Sequence, residues 1–157
     1  MSFHLRVVTP ERVLAEYQAT SVSLPTPQGE ITILPHHMPL ASLVAAGSLR
    51  IHHDGKTEEI VIAGGFVEVA PETRAVTILA DFAERSDELN IASIEEAKRR
   101  AERVMKESVR ADDVQFAAAA AALEKELARY RVAVRHRTQR GLPMSDQGSI
   151  SKNENAS

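Results

Sequence analysis

Six histidines, an arginine cluster near one end and a few paired carboxylates are the residues of this chain that could do chemistry. The histidines fall as His4, His36-His37, His52-His53 and His136. Adjacent residues on a strand point to opposite faces, so His52-His53 cannot easily chelate one ion. His36-His37 sits in a Pro-flanked loop without a third ligand nearby, and no metal site is expected there. The chain has no cysteine, hence no disulfide, thiolate metal site or Cys nucleophile. No Gly-x-Ser-x-Gly pattern or phosphate-binding P-loop occurs. The pairs Glu58-Glu59 and Glu95-Glu96 lack the context of an acid–base dyad. Gly64-Gly65 leads into no helix, which excludes a dinucleotide fingerprint. The expectation is no catalytic residue, no metal and no cofactor.

The arginines say more. Arg129, Arg131, Arg135, Arg137 and Arg140 occur with no acidic residue between Glu126 and Asp146. Arg131 and Arg135 are four apart and share a helix face, where like charges repel mildly and would gain from an acidic partner. Cations at a helix C-terminus also suit the macrodipole, so a solvated face is an equal reading. Nucleic acid is not an expected partner, because the net charge is -3 and no aromatic residues accompany the arginines for stacking.

These side chains must be positioned by two different kinds of structure. The 157 residues contain 43% hydrophobic and 26% charged residues but only 4% aromatic, so Val, Ile, Leu and Ala must fill the core. No secretory or transit pattern opens the chain. The longest apolar run, Phe116 to Leu123, is too short for a membrane span. Before about residue 85, short runs of Val, Ile, Leu and Thr are broken by Pro and Gly. Strands are expected at 3–8, 13–17, 20–24, 30–34, 41–45, 48–53, 57–63, 66–70 and 74–80. Alternation in Val22-Ser23-Leu24, Ile31-Thr32-Ile33 and Val76-Thr77-Ile78 marks half-buried strands. Asp54-Gly55 between two such runs signals a type I′ hairpin. Many short strands with closely spaced turns predict an antiparallel sandwich or barrel.

After residue 85, Ala, Glu, Arg and Lys dominate, with almost no Gly or Pro until Gly141. Ser93 with Glu96, and Asp112 with Gln115, form capping-box patterns that open two helices, the second running to about Arg137. Phe116, Ala120, Leu123, Leu127, Tyr130 and Val134 follow a 4-3-4-3-4 heptad spacing, which predicts lengthwise packing. The short connection 107–111 predicts an antiparallel pair. Ala117 to Ala122 favours helix whether or not it is packed, yet buries little apolar area. The hairpin is therefore expected to be strongly helical and weakly docked. From Thr138 onward no apolar period remains, and a tail without fixed structure is expected.

In order, these segments resemble the epsilon subunit of bacterial F-type ATP synthase. The match runs through FHLRVVTPERVL at 3–14, the stretch Gly29 to Leu40, Gly47-Ser48-Leu49-Arg50-Ile51, Gly64-Gly65-Phe66-Val67-Glu68-Val69 and Val76 to Asp81. It continues through Glu95 to Glu102 and Leu127 to Val132, so that residues 3 to about 137 are collinear with the family. The resemblance implies a β-sandwich of about ten strands over 1–86 and an antiparallel helical hairpin over 87–137, while the tail over 138–157 has no counterpart in the family. It implies a non-catalytic rotor subunit that couples the proton-driven ring of c subunits to the γ shaft. The complex would lie on the cytoplasmic face of the bacterial plasma membrane, with this subunit peripheral. The loop carrying Glu30 and His37 would face the c-ring. Arg129, Arg131 and Arg135 would meet an acidic segment of the β subunit when the helices extend between α and β, inhibiting hydrolysis. Thr32 and His36 replace the usual glycines of the loop. Asn90 and Ser93 replace the charged Asp and Arg of the family's ATP-sensing pattern, so weak or no ATP binding is expected. Two other readings stay open: a β-sandwich scaffold recruiting a coiled-coil partner, and a nucleotide-binding regulator acting alone.

Overall fold

The computed structural model describes residues 1–108 and 113–139. Eight strands come first: β1 (Phe3–Val8), β2 (Val13–Ala19), β3 (Ser21–Thr26), β4 (Gly29–Ile33), β5 (Leu40–Leu43), β6 (Gly47–His53), β7 (Lys56–Ala70) and β8 (Ala75–Arg85). Short 3₁₀ turns at Pro71–Thr73 and Ser86–Glu88 flank β8, and helices α1 (Ile91–Ser108) and α2 (Asp113–Gln139) follow. The strand order is β2-β1-β8-β7-β6-β3-β4, with β5 added to β7.

The long strands β7 and β8 serve both layers of the sandwich. Residues 66–69 of β7 pair with β5, whereas 56–62 pair with β6. Residues 75–79 of β8 pair with β1, and its far half continues along β7. Counted once in each layer, these two strands account for the expected number of about ten. The β1·β8 pair is parallel, while every other pair is antiparallel.

Two strands expected on either side of Gly64-Gly65 are in fact one, because the glycine pair bends the ladder without ending it. Gly64 and Gly65 have φ of 74° and 136°. A Cβ at Gly65 would lie 2.1 Å from the Leu79 carbonyl oxygen on the neighbouring strand, a distance no side chain tolerates. Asp54 and Gly55, both at positive φ, make the expected tight turn between β6 and β7.

Alternation sends one face of each strand inward. Leu5, Val22, Ile33, Leu49, Ile62 and Ile78 are completely buried in one cluster that draws on both layers. Burial of each such side chain contributes roughly 1.5–3 kcal/mol.

The helices begin and pack differently from expectation in two respects. The N-cap of α1 is Asn90, not Ser93: the Ser93 backbone N–H donates to Asn90 Oδ1 at 3.2 Å, and the Ile94 N–H to the Asn90 carbonyl at 3.0 Å. Asn is a strong N-cap, and starting at Ile91 gains helical residues. The heptad stripe from Phe116 to Val134 is only half-buried, while Ala119, Glu126, Ala128, Val132 and Ala133 are buried. The cause is that α2 has two partners, α1 on one side and the sandwich on another, so no single stripe carries its burial. Lys98 near the start of α1 lies 5.7 Å from the Tyr130 ring near the end of α2, as an antiparallel pair requires. The expected cap at Asp112 and the tail beyond Gln139 lie outside the described residues.

Candidate functional site

No charged cleft stands out on the sandwich; a row of apolar side chains on its outer face does. Leu43 is paired with Phe66, Phe66 with Leu79, Leu79 with Val8, and Val8 with Val13. Directly paired residues point to the same face, so the row crosses β5, β7, β8 and β1 and reaches β2 past a register shift between Val7 and Val8. Leu43, Phe66 and Leu79 are each more than half exposed, at 53%, 57% and 53%. The sequence builds this row by placing two apolar residues side by side in each strand. Period-2 geometry turns Val44, Val67, Ile78 and Val7 into the core and their neighbours outward. Glu68 and Asp81 flank the row on the same strands and are exposed. A contiguous apolar patch with a polar rim on a rigid sheet is the anatomy of a protein-docking surface. The sequence reading did not pick out these residues. The adjacent apolar pairs Leu43-Val44, Phe66-Val67 and Ile78-Leu79 were the available signal.

A second constellation joins α2 to the sandwich. Arg129 reaches Glu84 through Nε at 2.7 Å and Nη2 at 3.3 Å, and Glu126 through Nη1 at 2.7 Å. Burial alone would lower the pKa of Arg129, but the hydrogen bonds to Glu84 and Glu126, with their charges, raise it instead. Lys125 Nζ lies 4.7 Å from the Phe82 ring centre, a cation–π distance. Arg135 Nη1 donates to Glu59 at 2.7 Å. Beneath these contacts the buried apolar cluster is small, consisting of Val61, Ala128 and Val132 with Phe82 and Leu89 partly buried against it. Arg131 is exposed, with no ion pair among the described residues. Two of the three arginines singled out from the sequence thus converge on one interface, and the third does not.

Glu30 and His37 are not in direct contact. Glu30 is held by Arg50 on β6. The His37 ring Nδ1 lies 2.8 Å from the Met38 carbonyl, and its backbone N–H donates to Leu34. His52 and His53 face apart: His52 Nδ1 lies 2.8 Å from the Thr57 hydroxyl, and His53 packs on Tyr17 with Nε2 3.2 Å from Glu58. Tyr17 donates its phenol proton to Glu58. Burial, then that hydrogen bond and the carboxylate charge, push Tyr17 up to about 12, against an opposing effect of Arg85. Among the described residues no three or more His, Asp or Glu side chains are placed to hold a metal.

The family model described as ATP synthase, Delta/Epsilon chain, beta-sandwich domain, matches residues 2–86. The chain belongs to that family. Epsilon chains of ATP synthase are its relatives over nearly their full length. It is 40% identical to the one from Nitratidesulfovibrio vulgaris, with 83% of this chain and 95% of the relative covered. It is 41% identical to the one from Chloroflexus aggregans, covering 89% and 98%. Among solved structures, a chain of the Euglena gracilis mitochondrial ATP synthase (OSCP/F1/c-ring) shares the fold with a TM-score of 0.69 at 22% identity, over 81% of this chain and 78% of that one. A chain of the Tetrahymena thermophila central stalk/c-ring assembly does so at 0.55 and 14%, over 87% and 96%. Among the described residues of this epsilon-family chain, no helix is long and apolar enough to cross a membrane.

Proposed function

We propose that this epsilon chain is a non-catalytic subunit of the central stalk of a proton-translocating ATP synthase. Residues 1–86 grip the γ shaft, and the loop with Glu30 and His37 meets the c-ring, so that ring rotation is transmitted to γ. The chain sits peripherally at the cytoplasmic face of the bacterial plasma membrane and has no catalytic site of its own. The observation that carries this reading is the apolar row from Leu43 through Phe66 and Leu79 to Val13, mounted on the hydrogen-bonded strands of the sandwich. A tagged chain should recover γ, and the double substitution Phe66→Ser/Leu79→Ser should lose it. Central apolar anchors contribute about 2 kcal/mol each, or roughly thirtyfold in affinity. Undiminished recovery of γ by a folded double variant would overturn this assignment of the row.

A second reading concerns the helices over 87–137. Arg129, Arg131 and Arg135 serve as contacts to an acidic segment of β when the hairpin extends along the shaft between α and β, blocking hydrolysis. Its support is the ionic, thinly apolar seat of α2: Arg129 and Arg135 must leave Glu84 and Glu59 before they can engage another acidic surface. Moving such a balance from 1:99 to 99:1 needs about 5.5 kcal/mol of differential binding. Arg129 and Arg135 exchange one carboxylate for another at little net gain, so the differential must come from contacts absent in the docked state, Arg131 among them, at roughly 1.5–3 kcal/mol each. Deleting residues 88–157 should raise ATP hydrolysis by the assembled complex; an unchanged rate discards the brake. Asn90 caps α1 and Ser93 carries no charge, so this chain lacks the charged pair that ATP sensing would use.

A further inference from the structure

Two ion pairs far apart in sequence stand side by side on the sandwich face that carries α2. Arg135 of α2 donates to Glu59 of β7, and Arg50 of β6 donates to Glu30 of β4. Arg50 and Glu59 are direct cross-strand partners. Residues so paired share a face with their Cβ atoms about 5 Å apart, within reach of an arginine side chain. On its other side Arg50 is paired with Ser23 of β3, over which it extends to Glu30. Ser23 and Thr32 of β4 are joined through their hydroxyls at 2.7 Å and add no charge. Arg135, Glu59, Arg50 and Glu30 therefore form a row of alternating sign from α2 to β4.

The members of this row are unequally held. The Glu59 side chain is 11% exposed, and Arg135 is its single ion-pair partner among the described residues. A carboxylate has acceptor positions left for a second guanidinium. Arg50 uses Nη2 on Glu30, and its other N–H groups have no side-chain partner among the described residues. Arg50, Glu59 and Arg135 line one cavity of about 490 Å³, which gives the Arg50 side chain room to turn. Glu58 and Arg85, on the same cavity, are paired with each other. Glu30 thus has two effects. It holds Arg50 away from Glu59, and it offsets a positive charge that would otherwise repel Arg135.

We propose that Arg50 is a positioning residue that couples Glu30 to the seat of the hairpin. When a cationic group of a partner takes Glu30, Arg50 turns to Glu59, the hold on Arg135 weakens and α2 loosens. That a partner meets Glu30 rests on the reading above, whereas the coupling lies within this chain.

The test is native-state hydrogen exchange of the α2 amides in the full chain. Glu30→Gln frees Arg50 as an occupying cation would, and should speed their exchange about threefold, the scale of one half-exposed ion pair. Arg50→Gln should not speed it, and in that background Glu30→Gln should have no further effect. Unchanged exchange in Glu30→Gln overturns the coupling, and so does equal acceleration with and without Arg50. Equal acceleration of the β7 and β8 amides would place the effect in the sandwich rather than the seat, and overturns it too. Failure of the stalk reading is read separately, from γ recovery by the unsubstituted chain.

Discussion

Inside the sandwich, buried Val, Leu and Ile from six of the eight strands meet in one cluster, whereas the buried apolar cluster where α2 meets the sandwich is only Val61, Ala128 and Val132, ringed by Glu59, Glu84, Lys125, Arg129 and Arg135. The first kind of contact has no substitute outside the fold, because apolar side chains released into water gain nothing. The second kind does. An arginine leaving Glu84 keeps most of its energy if another carboxylate receives it, and the apolar area exposed is small. A body built the first way transmits force, and an appendage held the second way can be exchanged between partners.

That contrast can be tested by breaking each side of it. Leu49→Ala, at a completely buried position, should destabilise the sandwich by about 4 kcal/mol in urea unfolding. Arg129→Ala leaves Glu84 and Glu126 without their shared guanidinium in a mostly buried setting. It should weaken docking of the hairpin by about 2–3 kcal/mol while the sandwich midpoint stays put. Limited proteolysis within α2 would report it; a matching loss of sandwich stability would erase the distinction. Glu59→Gln removes a pair whose arginine is 45% exposed, and should loosen the same interface by about 0.5–1 kcal/mol, less at high salt.

The last effect is confined to alkaline pH. Tyr17 has its pKa raised in the folded chain, so its contribution to stability is complete below pH 10 and disappears as pH rises toward about 12. Tyr17→Phe should flatten stability against pH in that window and leave it unchanged in shape near neutrality.

Much of the fold was legible because alternation and turn chemistry act locally. Val22-Ser23-Leu24, Ile31-Thr32-Ile33 and Asp54-Gly55 each specify their own conformation, and the strands formed where they predict. What depended on long-range pairing was harder. Gly64-Gly65 reads as a break from its own neighbours; only the approach of the Leu79 carbonyl shows it to be a bend inside one strand. The heptad in α2 was present, but a helix with two partners divides its burial between them. Of the candidate site, Arg129 and Arg135 were visible as charges, while Glu84 and Glu59, their partners, looked like ordinary surface carboxylates until β7 and β8 brought them under α2. The outward row through Phe66 needed strand register, which no single stretch of sequence contains.

Native-state hydrogen exchange on the full chain addresses the division between body and appendage most directly. Amides of α1 and α2 should exchange through an opening that costs well below global unfolding, and Arg129→Ala should speed them while leaving β7 and β8 protected. Exchange of helices and strands together, at one common free energy, would mean that the hairpin cannot leave without unfolding the sandwich.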